Sequence, residues 1–158
     1  QGKCVGGGVG IACAADYAIA LDASSIKLSE LAIGIGPFVI APAVERKLGK
    51  SAFTALTINA TEWKTAQWAK DKGMFADLYS TTEQLDEALN KLSTQLSNYN
   101  TETMSELKKI FWQGTENWDT LLTERAGIVG KLALSKSVKE TITNLKKVEN
   151  GRENQNAF

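Results

Sequence analysis

Gly2-Lys3-Cys4-Val5-Gly6-Gly7-Gly8-Val9-Gly10-Ile11-Ala12, followed by Asp16, is the stretch whose reading decides the fold. Seven of the thirteen glycines fall between residues 2 and 36, among many Ala, Ile and Val and few charges. Such a segment predicts a buried, tightly packed region. Val9 to Ala15 has no polar face and reads as a short buried helix that starts at the glycine run. Backbone N–H groups at a helix start have no partner within the helix, and the helix dipole favours negative charge there. Glycines let a substrate oxygen come close to that backbone. The stretch therefore suits an anion or a developing oxyanion. It is not a dinucleotide fingerprint, because the third glycine position falls on Cys13 or Ile11 in the two possible registers. Nor is Gly49-Lys50-Ser51 a phosphate loop, since Val44 stands where its first glycine belongs.

Working outward, Tyr17-Ala18-Ile19-Ala20-Leu21 reads as a buried strand and Ser25-Ile26-Lys27-Leu28 as a second one. Leu31 to Phe38 is an apolar loop broken by Gly34, Gly36 and Pro37. A helix is predicted from Phe38 to Leu48, closed by Gly49, then a short one over Ser51 to Thr57 and another over Glu62 to Lys72, ending at Gly73. Met74 to Tyr79 reads as a strand. Ser80-Thr81-Thr82-Glu83 fits a capping box ahead of the stripe Leu85, Leu89, Leu92 and Leu96. Helices follow over Glu102 to Trp112 and Leu121 to Val148, the latter with a break expected near Gly127 or Gly130. A disordered tail is expected over 150–158.

Composition narrows the chemistry. The 158 residues suffice for one domain with a core. Lys plus Arg equals Asp plus Glu, 18 each, so charge gives no case for nucleic acid or an anionic membrane surface. No apolar run is long enough to span a bilayer. Cys4 and Cys13, set among small apolar residues, read as buried reduced thiols of a cytoplasmic protein. With no histidine in the chain, Ser-His-Asp and Cys-His nucleophile systems and His-ligated metals have no place in it. Acid-base work near neutral pH then falls to a carboxylate, Lys, Cys or Tyr with a shifted pKa.

Glu30 is the carboxylate of interest. It is the only acidic residue between Asp22 and Glu45, and Leu28, Leu31, Ile33, Ile35 and Phe38 flank it. Desolvation in such surroundings raises a carboxyl pKa and makes a usable base. An exposed loop glutamate is the plain alternative.

Taken together, the glycine stretch with Asp16, then Ser29-Glu30, Leu31-Ala32-Ile33-Gly34-Ile35 and Arg46-Lys47-Leu48-Gly49-Lys50-Ser51-Ala52 resemble the enoyl-CoA hydratase/isomerase (crotonase) family. Thr65-Ala66 followed by Lys72-Gly73-Met74 looks like the family's A-x-x-x-G-L step. The resemblance covers residues 1 to about 148. It implies an α/β fold, the C-terminal part of the crotonase (ClpP-like) spiral of strand-strand-helix turns. Residues 1–79 would belong to that core and 80–149 to a helical region that packs a trimer or hexamer. The start at Gln1 is accordingly expected to be a cut through a larger protein.

The resemblance also implies the roles. The N–H of Gly7 would be one of two oxyanion donors for the thioester oxygen of an acyl-CoA, and Glu30 the catalytic carboxylate. Gly6, Gly10, Ile35, Pro37 and Phe38 would line the substrate. No metal and no separate cofactor are implied, coenzyme A arriving as part of the substrate. Hydratases of the family commonly carry two glutamates twenty positions apart. Glu30 matches the second, and the first falls on Gly10, which has no side chain. Gly34-Ile35-Gly36-Pro37-Phe38 is similar to the Gly-Ile-x-x-Pro-Phe of some isomerases. The expectation is an isomerase-like enzyme with Glu30 as its base. The alternatives are a hydratase, including a methylglutaconyl-CoA hydratase-like one, or a lyase, and a truncated assembly subunit without catalysis.

Overall fold

The computed structural model describes residues 1–144. The expected tail at 150–158, and the end of the helix expected to reach Val148, lie outside the described residues. In chain order the elements are β1 (Lys3–Val5), α1 (Gly7–Ala14), β2 (Ile19–Leu21), β3 (Ser25–Lys27), a 3₁₀ turn (Glu30–Ile33), α2 (Ala41–Ile58), β4 (Lys64–Thr65), α3 (Ala66–Asp71), β5 (Asp77–Tyr79), α4 (Thr82–Ser97), α5 (Thr101–Phe111) and α6 (Trp118–Ala133). Residues 136–144 are helical as well. The architecture is mixed α/β, as the sequence implied.

Two small sheets carry the strands. β1 and β3 run parallel with Cys4 opposite Ile26, and β4 adds antiparallel to β3. β2 and β5 form a parallel pair with Ala20 opposite Leu78. Parallel pairing requires a crossover, and α1 supplies it between β1 and β3. The core lies between the sheets and helices α1, α2 and α3. Val9, Cys13, Ile26, Leu28, Val44, Leu56 and Met74 are its largest fully buried side chains. Each such aliphatic contributes about 1.5–3 kcal/mol on leaving water.

Several boundaries differ from the sequence reading. β1 was not expected at all. The helix expected from Phe38 begins at Ala41, with Pro42 in its first turn, because residues 38–40 form a turn in which Pro37 O accepts from Ala41 N–H at 2.9 Å. The expected stop at Gly49 is present: Gly49 has φ 76° and ψ 158°, outside the helical region, and α2 is two helical segments, 41–48 and 50–58, meeting at a kink there. The helix expected from Glu62 begins at Ala66, since Lys64 and Thr65 are drawn into the ladder with β3 and Thr65 becomes the cap, accepting from Trp68 N–H. The strand expected over 74–79 is confined to 77–79, because Met74 N–H still bonds to Ala69 O at the end of α3.

The cap of α4 is Thr81, not Ser80: its hydroxyl accepts from Gln84 N–H at 3.3 Å. Gln84 in turn accepts from Ser80 N–H at 3.2 Å, so the return bond of the box reaches the residue before the cap instead of the cap itself. The expected break at Gly127 or Gly130 does not occur, and α6 runs through both. A glycine inside a helix costs only about 1 kcal/mol. The break comes at residues 134–135, where Ser135 Oγ accepts from Val138 N–H at 3.4 Å and caps the stretch 136–144.

Candidate active site

The site is built where α1 begins. Gly6 donates its N–H to Lys27 O at 2.9 Å, which ties the end of β1 to β3. Its φ of 53° then turns the chain into the helix, and Gly6 O accepts from both Val9 and Gly10 N–H. No side chain caps this helix start. Gly7, the first helical residue, is exposed, and a Cβ added there would meet nothing within 4 Å. Its N–H therefore sits at an open, positively polarised helix end. At the other end, Lys47 Nζ donates to the carbonyls of Ala15 and Asp16 at 3.0 and 2.8 Å. A cation there complements the dipole of α1.

Glu30 reaches this helix start from the 3₁₀ turn after β3. A Cβ on Gly6 would lie 3.0 Å from Glu30 Oε1. The residue as a whole is only half-buried, but Oε2 is sealed from solvent and has no hydrogen-bond partner among the described residues. Burial pushes the Glu30 carboxyl above the ordinary glutamate range, and the backbone N–H groups of Glu30 and Ser29 pull it part of the way back. This is the direction the apolar neighbours in sequence predicted.

The other expected site residues fall into two groups. Gly6 caps α1 and Gly7 and Gly10 lie in its first turn, and Ile35 is tied to the 3₁₀ turn by its N–H, which donates to Glu30 O at 3.1 Å. Pro37 and Phe38 build the approach to α2. The Phe38 ring lies over Gly36, and Phe38 O accepts from Arg125 Nη1 of α6 at 3.3 Å. Sequence reasoning missed Ile40. A Cβ on Gly10 would fall 2.4 Å from Ile40 Cγ2 and 2.7 Å from Ile40 Cβ, so the two residues interlock. Nothing in the sequence signals that positions 10 and 40 meet.

Other chemistry is quiet. Burial pushes the Cys13 thiol up to about 12 and also raises that of Cys4, so neither is a ready nucleophile. No group of three or more His, Cys, Asp or Glu is placed to hold a metal ion among the described residues. None of the helices among them is long and apolar enough to cross a membrane. An open cleft of about 550 Å³ runs along α4, lined by Tyr79, Gln84 and Lys91 among others, and takes no residue from the Glu30 turn. The site is marked by its carboxylate and helix start, not by cavity size.

The family model for enoyl-CoA hydratase/isomerase matches residues 1–152. The chain belongs to this family. Solved structures of enoyl-CoA hydratases share the fold. One from Mycobacterium avium superposes with a TM-score of 0.83 at 24% identity, over 92% of this chain and 57% of that one. One from Shewanella pealeana gives 0.66 at 26% identity, over 93% and 55%. An enoyl-CoA hydratase/isomerase from Pseudoalteromonas atlantica gives 0.82 at 15% identity, over 92% and 59%. The chain thus spans under two thirds of the length of these crotonase-fold proteins. Among curated protein sequences, none matches it at a significant level.

Proposed function

We propose that the protein carrying this chain is an isomerase-like crotonase that moves a double bond in an enoyl-CoA thioester, with Glu30 as its base. The observation that carries this reading is the Glu30 carboxylate: desolvated, with one oxygen unpartnered among the described residues, against the glycine start of α1. Glu30 would take a proton from C2 of a 3-enoyl-CoA. The electron pair passes to the thioester oxygen as a dienolate, and the exposed Gly7 N–H is available to that negative oxygen. Return of the same proton at C4 leaves a 2-enoyl-CoA and restores the carboxylate. One base completes the cycle, and no other reactant is consumed.

Two of the solved structures named above are enoyl-CoA hydratases and the third is an enoyl-CoA hydratase/isomerase, so water addition is the competing reading. It needs water deprotonated while carbon is protonated, work that two carboxylates commonly share. Here position 10 is a glycine packed against Ile40, which favours the single-base reaction. The family resemblance further supports a homotrimer or hexamer and substrate contacts from Gly6, Gly10, Ile35, Pro37 and Phe38, and the two free thiols Cys4 and Cys13 support a cytoplasmic location. Coenzyme A enters only as part of the substrate.

The test uses the complete protein and matched chain lengths. Conversion of 3-enoyl-CoA should have a higher kcat/KM than hydration of 2-enoyl-CoA. Glu30→Gln should lower kcat by about a hundredfold or more while acyl-CoA affinity changes little. Faster hydration would overturn the isomerase reading. A Glu30→Gln variant with activity near the parent's would remove Glu30 as the base.

A further inference from the structure

Gly6 caps α1 and Gly10 lies one turn further on, with Gly10 N–H donating to Gly6 O at 3.3 Å. Each lacks a side chain where another residue comes close. At Gly6 the neighbour is the Glu30 carboxylate, and at Gly10 it is Ile40. Glu30 and Ile40 thus approach the start of α1 one turn apart. The 3₁₀ turn that bears Glu30 also packs against α2, whose cap residue is Ile40. The space that a side chain at position 10 would enter is filled by the Ile40 side chain.

We infer that Ile40 is a specificity-determining positioning residue, which keeps the wall beside Glu30 apolar and dry and so holds the site to proton transfer instead of water addition. The inference rests on Glu30 being the base. Ile40 acts on it in two ways. Its bulk excludes a water from the place where one could be activated next to the carboxylate. Its lack of polar atoms leaves that side of the carboxylate without a hydrogen-bond donor. A β-branched residue suits the position, because its χ1 is restricted and it holds its shape against the glycine.

A merely structural Ile40 would affect stability alone, so the test reads two quantities that packing does not set. In the complete protein, Ile40→Ala should raise the ratio of hydration to isomerisation kcat/KM by about tenfold or more. It should also move the Glu30 carboxyl titration, followed by carbon-13 NMR of labelled glutamate, toward the ordinary range. Ile40→Val should keep both near the parent values. A ratio within about twofold of the parent and an unmoved titration in a folded Ile40→Ala variant would overturn the inference. That result, with Glu30→Gln still inactive, would sink the role of Ile40 and spare the base. An active Glu30→Gln would sink the base itself. Should Ile40→Ala fail to fold, thermal unfolding of Gly10→Ala decides the interlock. Gly10→Ala should lower Tm, and the double variant Gly10→Ala, Ile40→Ala should regain part of the loss, because the new methyl takes the space that Ile40 Cγ2 vacates. No restoration would overturn the inference as well.

Discussion

Gly6 and Glu30 meet so closely that a Cβ on the glycine would stand 3.0 Å from Oε1 of the carboxylate. The contact joins the two features that mark the site, the glycine run and the lone acidic residue. Gly6 also holds φ at 53° and ψ at −119°, a conformation open to glycine and strained for other residues. Gly6→Ala should therefore cost about 1–3 kcal/mol of stability and push Glu30 from its place. Turnover should fall more than substrate affinity, because the carboxylate is displaced while the rest of the surface stays. Steady-state kinetics beside a thermal melt check this. A destabilised variant with full kcat would show that the contact has no bearing on the reaction.

Glu30 gives a second prediction, in which stability and activity move in opposite directions. Its folded pKa is raised above the unfolded value, chiefly by desolvation. A group of this kind contributes stability below its unfolded pKa and loses that contribution as pH rises through the folded one. At about pH 8 the folded protein carries a desolvated charge that Glu30→Gln removes. The variant should melt higher than the parent there, and the gain should vanish at about pH 4, where the parent carboxyl is protonated. The parent's kcat/KM should decline on the acid side with an apparent pKa above the ordinary glutamate range. An acid limb at or below that range would contradict the desolvation account.

How much of this was legible without coordinates depended on the range of the signal. Local signals served well. The stripe Leu85, Leu89, Leu92 and Leu96 gives α4, its cap falling one residue later than read, and Gly73 closes α3. β1 escaped because three residues, Lys3 to Val5, are too few to show alternation beside a run of glycines. β4 escaped because two residues, Lys64 and Thr65, join a ladder only through their partners on β3. At 134–135 a serine cap competed with two nearby glycines, and the cap decided the break. In the site, a glutamate among apolar neighbours was readable as a raised carboxyl. The encounter of residue 10 with residue 40 is a tertiary event, and no spacing or pattern encodes it.

Asp16 supports a third prediction. Its carboxylate accepts from Trp112 Nε1 at 2.6 Å and pairs with Lys108 Nζ at 2.5 Å, both from the α5 end of the chain. Arg46 lies over the Trp112 ring at 4.6 Å and also donates to Phe111 O. Burial of Asp16 opposes ionisation, but hydrogen bonds from Lys108 and Trp112, with the charges of Lys108 and Arg46, outweigh it and hold the carboxyl below the usual aspartate range. A depressed folded pKa gives stability that is present above the unfolded value and lost as pH falls through the folded one. Asp16→Asn should thus loosen α5 at neutral pH and have little effect once the parent is acidified below that range. Partial exposure and screening by salt keep the effect small, so a local probe is needed. Amide hydrogen exchange along α5 should quicken in the variant while α2 stays protected. Unchanged exchange in α5 would mean that packing alone holds the helix.

The last prediction concerns assembly. Neither α5 nor α6 contains a buried residue, although both carry large apolar side chains. Ile110 is 63% exposed, Leu134 beyond the end of α6 is 71% exposed, and Phe111 and Ile128 are nearly half exposed. Scattered exposed apolar residues are ordinary, but here they gather on consecutive helices that bury little in their own chain. Partner copies packed on these helices would cover them, in line with the proposed homotrimer or hexamer. Sedimentation of the complete protein should then show one oligomer stable at micromolar concentration. Ile110→Glu supplies the sharper test. On a free surface such a change shifts stability by no more than about 0.5 kcal/mol. Within an interface it buries an unpaired charge, and the oligomer should dissociate while each chain keeps its helical circular dichroism. A protein that sediments as a monomer throughout, or an Ile110→Glu variant that stays fully assembled, would remove α5 from the interface. In that case the apolar residues of α5 need a cover other than a second copy.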